Sequence, residues 1–271
     1  MKKKRNLRFL MMALVLSCLV AAMLPVAASA ATQKNGWVKE KNGYCYYVKG
    51  KKVQNQLKKI KGKTYYLGSD GVRKTGWYTV KTKSKGKTVY KAMKFNGSGA
   101  YTGKSQTVNA QLIKKTDSII KSLKIGTGAL TTEQKEAALK KIFTYTKKYG
   151  YGRVMGLNNK TFNKNKVADC AYKMMSKKKG NCYYHASAFA VLAKRATGLP
   201  VRVCWGTSRV FNAKKAQEHA WVEIKLADGS WHIYDPNGAR FSSRKDVETY
   251  GQKASALKSV YKAAKTSELY L

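Results

Sequence analysis

Three side chains in the second half of the sequence could together carry acyl-transfer chemistry. They are Cys182, His219 and Asp235, which follow one another at intervals of 37 and 16 residues. A thiolate attacks a carbonyl carbon, an imidazole moves the thiol proton, and a carboxylate fixes the tautomer and the orientation of that imidazole. The sequence therefore predicts a cysteine nucleophile, provided that the fold brings the three groups together.

The element that must position Cys182 is a helix. Small and apolar residues recur at helical spacing from Cys182 to Ala193, and Gly198-Leu199-Pro200 ends the pattern. Cys182 is therefore predicted in the first turn, where unpaired N–H groups and the helix dipole favour a thiolate and can donate to an oxyanion. Taken alone, the residue fits a buried structural cysteine better than a nucleophile.

His219 and Asp235 are predicted to lie on two adjacent strands. Residues 218–224 and 230–236 both alternate with period two, and Ala227-Asp228-Gly229 between them is a hairpin signal. A three-residue loop with its glycine in the left-handed conformation places Asp235 diagonal to His219 on the same face. A two-residue loop would place Asp235 on the other face. The Cys–His–Asp interpretation therefore requires the longer loop.

At these places the sequence resembles the transglutaminase-like superfamily, over about residues 132 to 238. The matching motifs are Gly180-Asn181-Cys182 with the helix that follows, His219-Ala220-Trp221-Val222-Glu223, and Trp231 to Asp235-Pro236. The resemblance implies an α+β, papain-like fold with Cys182 on a central helix and the other two residues on an antiparallel sheet. It also implies that Cys182 is the nucleophile, His219 the general base and acid, and Asp235 the orienting group.

Two further histidines need a role. His185 lies one helical turn after Cys182 and is an alternative partner for it, although no carboxylate is near it in sequence. His232 falls on the strand face opposite to that of Asp235 and is predicted to be structural. The side chain that would assist the oxyanion stays open, because the tyrosines and Trp205 are all candidates.

The remaining cysteines of the predicted mature chain are Cys45, Cys170 and Cys204. Their spacing matches no common zinc site, in which paired ligands lie two to four residues apart. The sequence has no acidic cluster for calcium either, so no metal and no cofactor are predicted. Cys170 and Cys204 are expected to be buried thiols or a disulfide pair.

A segment rich in Gly, Tyr and Lys occupies residues 31–103. Gly43-Tyr44-Cys45-Tyr46-Tyr47 recurs 19 residues later as Gly62-Lys63-Thr64-Tyr65-Tyr66, and Gly-Trp pairs stand at 36–37 and 76–77. Short aromatic strands that end at Gly turns predict successive β-hairpins. One hairpin cannot bury its aromatic face alone, so the units should stack on one another.

At these residues the segment resembles the cell-wall-binding (choline-binding-like) repeats of secreted Gram-positive proteins, over roughly three imperfect units. The resemblance implies wall binding through Trp37, Tyr47, Tyr66 and Trp77. In that family, rings from neighbouring hairpins can enclose a choline cation. The many lysines around these rings would repel a cation, which favours an anionic polymer or a purely structural spacer.

The first thirty residues are typical of a secretory signal. Basic residues precede an apolar run at 9–24, and Ala28-Ser29-Ala30 is a cleavage-site pattern. A retained membrane anchor and lipoprotein acylation at Cys18 are the disfavoured alternatives. The sequence therefore predicts a secreted protein that has no membrane contact after cleavage.

The formal net charge is +42, and +37 remains when the five basic side chains of the leader are removed. Such a field attracts polyanions. An exported protein rarely meets nucleic acid, so an anionic cell-wall polymer is the predicted partner, cell-wall association is predicted, and no nucleic acid is expected. The other interpretation is that the positive charge only keeps the protein soluble, because the lysines are scattered through the chain and do not form one cluster.

The sequence predicts a leader at 1–30, hairpin repeats at 31–103 and a catalytic domain at 104–271. The predicted function is a secreted cysteine enzyme that forms a thioester at Cys182 with a protein or peptide amide. The acyl group then passes to water, as in a protease or deamidase, or to an amine, as in cross-linking. Hydrolysis is slightly favoured. The alternatives are a non-catalytic cell-wall adhesin or scaffold that retains the fold, and a basic peptide or nucleic-acid binder.

Overall fold

The computed structural model describes residues 33–126, 128 and 130–270. The predicted leader at residues 1–30 lies outside this part of the chain. Within the described residues, none of the helices has the length and apolar character that crossing a membrane requires.

The first part of the described chain consists of antiparallel strands in three small sheets, of order β1-β2-β3, β4-β5 and β6-β7-β8. The predicted short hairpins are present, whereas their nature as repeats of one wall-binding unit stays a prediction. The last strand extends beyond residue 103, where the predicted module ends. The strands are β1 Gly36–Glu40, β2 Gly43–Val48, β3 Lys51–Lys52, β4 Gln56–Ile60, β5 Lys63–Leu67, β6 Gly76–Ser84, β7 Lys87–Phe95 and β8 Tyr101–Val108.

The hairpin turns explain why Lys-Gly pairs recur in this segment. In the turn of β4–β5, Lys61 and Gly62 have φ values of +45° and +77°, and in that of β6–β7 Lys85 and Gly86 have +46° and +74°. Two successive residues with positive φ make the type I′ geometry, whose twist matches that of the flanking strands. The glycine of each pair adopts this conformation at little cost.

In the part of the chain that the structure describes, four α-helices follow or separate the strands, and a fifth, short α-helix comes near the end. The second helix begins with Thr131 as its N-cap and Gln134 in a reciprocal capping box, as the sequence predicts. Val108 belongs to β8 instead of the first helix, because the side chain of Asn109 caps that helix at Gln111 N–H. The helices are α1 Ala110–Ser122, α2 Thr132–Lys147, α3 Val167–Lys177, α4 Cys182–Thr197 and α5 Pro236–Phe241.

Helix α4 is the centre of the second part of the molecule, and nearly all of its side chains are buried. Phe189 on this helix contacts Phe143 of α2 on one side and Tyr234 of the sheet on the other, with ring centroids 5.8 and 5.6 Å apart. Gly198 ends the helix in the left-handed conformation, as the sequence predicts. The burial of both flanks fixes the position of the helix and of its first residue.

A five-stranded antiparallel sheet packs against α4, with strand order β14-β13-β12-β11-β15. Val203 and Val222 face α4, while Cys204, Trp221 and Tyr261 form a second apolar cluster on the other face. A separate parallel pair, β9 with β10, joins the start of α4 to the end of α2. The strands are β9 Gly150–Tyr151, β10 Lys179–Gly180, β11 Val201–Ser208, β12 Gln217–Lys225, β13 Trp231–Tyr234, β14 Tyr250–Lys253 and β15 Tyr261–Glu268.

Strands β11 and β15 approach each other unusually closely at Gly206. The register of the two strands shifts between Trp205 and Gly206. A Cβ atom on Gly206 would lie 2.2 Å from the carbonyl oxygen of Lys262, which is closer than any real Cβ contact. On its other side Gly206 pairs with His219 of β12. A residue without a side chain is therefore required at this position.

Candidate active site

Cys182 is the first residue of α4 and is 7% exposed. Asn181 precedes it in an extended conformation and caps the helix, because its side-chain oxygen accepts the N–H of Tyr184 at 3.4 Å. The first N–H groups of a helix have no acceptor within the helix. Those of Cys182 and Tyr183 therefore face the helix end beside the sulfur, where they can donate to a developing negative charge.

The hairpin that carries the other two predicted residues has the longer of the two alternative loops. Leu226 N–H donates to the carbonyl of Ser230 at 3.1 Å, and Gly229 has a φ of +77°. The resulting register pairs Val222 with Tyr234. The prediction of a three-residue loop that closes at Leu226 and Ser230 is confirmed.

Asp235 does not continue the strand as predicted, since β13 ends at Tyr234. Asp235 is instead the N-cap of α5, and its Oδ1 accepts the N–H of Gly238 at 2.8 Å. Pro236 follows in the first turn, where its missing N–H costs nothing and its fixed φ suits a helix. The carboxylate is thereby held by backbone while its other oxygen remains free for side-chain donors.

His219 and Asp235 form a buried pair. The imidazole Nε2 lies 2.7 Å from Asp235 Oδ2, and each side chain is only 1% exposed. Burial opposes the charged form of His219, but the charge and hydrogen bond of Asp235 outweigh it, so the pKa of His219 is raised. Burial likewise opposes the ionised Asp235, yet His219 and the Gly238 N–H hold its pKa below the usual value. Both effects favour an imidazolium–carboxylate pair.

The sulfur of Cys182 lies close enough to this imidazole for its charge to add to the rise in the pKa of His219. Nε2 is occupied by Asp235, while Nδ1 is buried without a hydrogen-bond partner among the described residues. Nδ1 is therefore the ring nitrogen left for the thiol. Phe211 packs edge-on against the ring at 5.1 Å and Trp221 stacks at 6.3 Å, which restrict its rotation.

The other histidines have local partners. His185 is buried and its Nε2 lies 3.2 Å from the carbonyl of Gly150. Burial lowers the pKa of His185 to about 4, so this ring is neutral near pH 7. His232 Nδ1 lies 2.7 Å from the carbonyl of Gly251 and its Nε2 lies 2.8 Å from Ser230 Oγ. His232 thus ties two strands together.

The described cysteines are free thiols, which answers the open question about Cys170 and Cys204. Cys170 lies among the helices and Cys204 lies on the far face of the sheet. Burial raises the pKa of Cys170 to about 12 and raises that of Cys204 well above the usual range. Both are therefore poor nucleophiles in the folded chain. In the described part of the chain, no three His, Cys, Asp or Glu side chains come together as metal ligands would.

The four aromatic residues predicted to bind the cell wall lie in different local environments. Tyr47 donates a hydrogen bond to Glu40, and the Nζ of Lys34 lies 5.4 Å from the centre of its ring. The structure leaves their role as wall ligands a prediction. The ring contacts of the other three are Trp37 with Tyr65 at 5.0 Å, Tyr66 with Tyr78 at 5.2 Å and Trp77 with Tyr270 at 5.3 Å.

Sequence reasoning missed two residues that shape the site. Tyr261 of β15 donates its hydroxyl hydrogen to Asp235 Oδ2 at 3.0 Å. Gly238 is required because a Cβ there would lie 2.4 Å from the same oxygen. A glycine three residues after a potential capping Asp is a weak indication that the backbone approaches the carboxylate closely. Nothing near Tyr261 in the sequence indicates that it contacts the site.

Comparison with known proteins finds a family model that matches part of the chain. Residues 123–236, somewhat under half of the chain, match the model of the transglutaminase-like superfamily. No match was found among curated proteins.

Two solved structures show low similarity to this chain. A candidate cysteine protease from Cytophaga hutchinsonii is 17% identical with a TM-score of 0.32, covering 58% of this chain and 48% of its own. Rad4–Rad23 bound to a 6-4 photoproduct UV lesion is 14% identical with a TM-score of 0.36, covering 59% of this chain and 41% of its own. This chain thus spans about half or less of their length. The family comparison therefore shows that residues 123–236 are similar to the transglutaminase-like superfamily.

Proposed function

We propose that the protein is a secreted cysteine enzyme that forms a thioester at Cys182 with the carboxamide or peptide carbonyl of a protein or peptide. The acyl group then passes to water or to an amine. The observation that carries this proposal is the buried His219–Asp235 pair, whose remaining ring nitrogen is unpartnered in the described structure and lies beside a thiol at a helix N-terminus.

The first half of the reaction acylates the enzyme. The proton of the Cys182 thiol passes to His219, whose raised pKa favours the imidazolium of a thiolate–imidazolium pair, and the thiolate attacks the carbonyl carbon of the amide. The carbonyl π electrons move to oxygen, where the N–H groups of Cys182 and Tyr183 stabilise the negative charge. The imidazolium of His219 then protonates the leaving nitrogen as the C–N bond breaks, which releases ammonia or an amine and leaves the thioester.

The second half regenerates the thiol. His219, now neutral, accepts a proton from an incoming water or primary amine as its oxygen or nitrogen attacks the thioester carbonyl. The C–S bond breaks and the imidazolium returns the proton to sulfur. Water yields a carboxylic acid, and an amine yields a new amide. Throughout, Asp235 keeps Nε2 protonated and stabilises the imidazolium without itself taking a proton.

The same proposal includes secretion and association with an anionic cell-wall polymer. Its support is the leader pattern at residues 1–30 and the net charge of +42 over the whole chain. Binding of the full chain to wall fragments should fall steeply as salt rises, because screening weakens long-range attraction. Binding that ignores salt would contradict this part of the proposal and leave the enzyme unaffected.

The enzyme is tested by mass spectrometry of the chain after acid quenching during turnover of a glutamine-containing peptide. We expect an acyl adduct on Cys182 and a peptide product that is deamidated, cleaved or joined to an added amine. Cys182→Ala should abolish adduct and product, while Cys170→Ala, which removes a buried thiol that makes no contact with the His219–Asp235 pair in the hydrogen bonds described, should retain both. Turnover that is indifferent to Cys182→Ala would end the enzyme proposal and favour a non-catalytic scaffold.

A further inference from the structure

Two aromatic rings are exposed beside the candidate nucleophile. Tyr151 is 52% exposed and Phe241 is 41% exposed, and both belong to the small set of large hydrophobic residues that remain exposed in the described structure. Their ring centroids lie 5.8 Å apart in an edge-on arrangement. Exposed apolar groups that contact each other at the mouth of a site are a common feature of ligand recognition.

The backbone places Tyr151 next to Cys182. Strand β9 pairs in parallel with β10, and Tyr151 lies opposite Gly180, two residues before the nucleophile. The N–H of Gly152 donates to the carbonyl of Gly180 at 3.0 Å, which fixes the strand at that point. Burial and the nearby Cys182 sulfur both raise the pKa of Tyr151, consistent with this proximity.

Phe241 contacts Tyr151 but belongs to a different segment of the chain. It is the last residue of α5, the short helix that Asp235 caps. Its ring lies 6.0 Å from that of His185, one helical turn after Cys182 on α4. The aromatic pair is therefore attached to the two segments that position the nucleophile and the carboxylate, so it has a fixed relation to the reacting atoms.

The charges around the pair restrict what it can bind. Arg153, Lys179 and Arg240 are exposed in the adjacent segments, and the guanidinium of Arg240 lies 5.3 Å from the centre of the Phe241 ring. Cations at this rim repel a basic substrate side chain. A neutral apolar side chain would instead cover the exposed faces of both rings and remove them from water.

We propose that Tyr151 and Phe241 form a substrate subsite that receives a large apolar side chain next to the carbonyl that Cys182 attacks. This inference rests on the proposed function, since the subsite serves an acyl donor at Cys182. It names a preference that the Cys–His–Asp group does not itself supply. The hydroxyl of Tyr151 is not needed for it, because the interaction is made by the rings.

The test uses the full chain and two alkylating probes, N-iodoacetyl-glycinamide and N-iodoacetyl-phenylalaninamide, which differ only by a benzyl group. The measurement is the ratio of their second-order rate constants at Cys182, corrected by the same ratio for glutathione. We expect the phenylalanine probe to react about tenfold faster with the wild-type chain, as expected for partial burial of a ring. Tyr151→Ala and Phe241→Ala should each bring the ratio close to one.

Two variants serve as controls. Tyr151→Phe keeps the ring and should keep the wild-type ratio. Tyr44→Ala removes an exposed ring of the hairpin segment, 41% exposed, and should also keep it. Because Tyr151 and Phe241 are well exposed, their truncation should leave folding intact, which far-UV circular dichroism and thermal melting will check.

The results separate the subsite from the enzyme. A wild-type ratio near one, or a ratio that survives both alanine variants, would overturn the subsite even when amide turnover at Cys182 has been demonstrated. Loss of the preference in Tyr151→Phe would also overturn it, by showing that the hydroxyl is required. Absence of amide turnover with a ring-dependent ratio would instead remove the proposed reaction and leave an apolar site beside an alkylatable thiol.

Discussion

The hydroxyl oxygen of Tyr261 lies 3.0 Å from Oδ2 of Asp235, the same carboxylate oxygen that lies 2.7 Å from the imidazole of His219. The backbone N–H of Gly238 occupies the other oxygen. The carboxylate of Asp235 thus accepts hydrogen bonds from three donors, one of them on β15. Hydrogen bonds of this kind hold a charged acceptor in one rotamer.

Replacing Tyr261 by Phe should weaken the site without removing any group that touches the substrate. A hydrogen bond to a charged group contributes about 1.5–3 kcal/mol, so we expect kcat/KM for amide turnover to fall roughly tenfold or more. The pH–rate profile should also change, because the pKa of Asp235 loses one cause of its depression. Tyr149→Phe, at an equally buried tyrosine outside the site, is the matched control. An unchanged profile in Tyr261→Phe would show that the contact is only structural.

Asp235→Asn should leave the fold in place and remove most of the activity. The amide cannot stabilise an imidazolium, so the pKa of His219 falls toward its ordinary value and the correct tautomer is no longer enforced. We expect kcat to drop on the order of 10³-fold in peptide turnover assays. Asp169→Asn, which alters an exposed helical ion pair, should retain wild-type kcat. Equal losses in the two variants would argue against a specific role for Asp235.

The pH dependence of Cys182 alkylation should report on His219. The raised pKa of His219 keeps the ring protonated through neutral pH, and a cation beside a sulfur favours the reactive thiolate. At pH 6 we expect iodoacetamide to label Cys182 of the wild-type chain at least about tenfold faster than that of His219→Gln. Peptide mapping of labelled chains measures both rates.

Cys170 and Cys204 provide internal controls in the alkylation experiment. Both are buried, and both should be labelled only after denaturation. Labelling of Cys182 that is as slow as theirs in the native chain, at every pH, would contradict a thiol activated by His219.

His185 should make the protein less stable in mild acid. Burial lowers the pKa of His185 to about 4, below the value near 6.5 expected in the unfolded chain. Above pH 6.5 the ring is neutral in the folded and unfolded chain, and the folded state keeps its full stability. As the pH falls toward 4, the unfolded chain binds a proton that the folded chain does not, and the free energy of unfolding decreases by on the order of 3 kcal/mol. The raised pKa of His219 has the opposite effect on stability, because the protonated ring stabilises the folded chain and this stabilisation is lost as the pH rises.

The difference between wild type and His185→Gln isolates the effect of this one ring. Glutamine can still donate to the carbonyl of Gly150 but does not titrate. Urea unfolding at pH 7 and pH 4.5 should show a smaller loss of unfolding free energy in the variant. A variant that loses as much as the wild type would place the acid sensitivity elsewhere.

Much of the site could be predicted from sequence because its signals are local. The Asp228-Gly229 turn sets the hairpin register, which pairs Val222 with Tyr234 and so brings the next residue, Asp235, close to His219. Likewise, Gly198 and the capping box at Thr131 mark helix ends through the chemistry of a few neighbouring residues. Such features depend on spacing along the chain, which a sequence displays directly.

The contribution of β15 could not be predicted in the same way. Its pairing with β11 joins residues more than fifty positions apart, and the register shift at Trp205 and Gly206 breaks the period that a sequence pattern would need. Most of its residues are exposed, so no apolar alternation marks it as a strand. The end of β13 at Tyr234 was missed for a different reason, since Asp235 satisfies a helix cap in preference to a strand partner.

The contact at Gly206 gives the molecule a point of control at a residue that carries no reacting group. Adding a single methyl group there would push β11 and β15 apart at Lys262, one residue from Tyr261. The carboxylate would lose its phenol donor while the thiol, imidazole and carboxylate all kept their identities. Gly206→Ala should therefore give an inactive version of the protein in which Cys182, His219 and Asp235 are all still present.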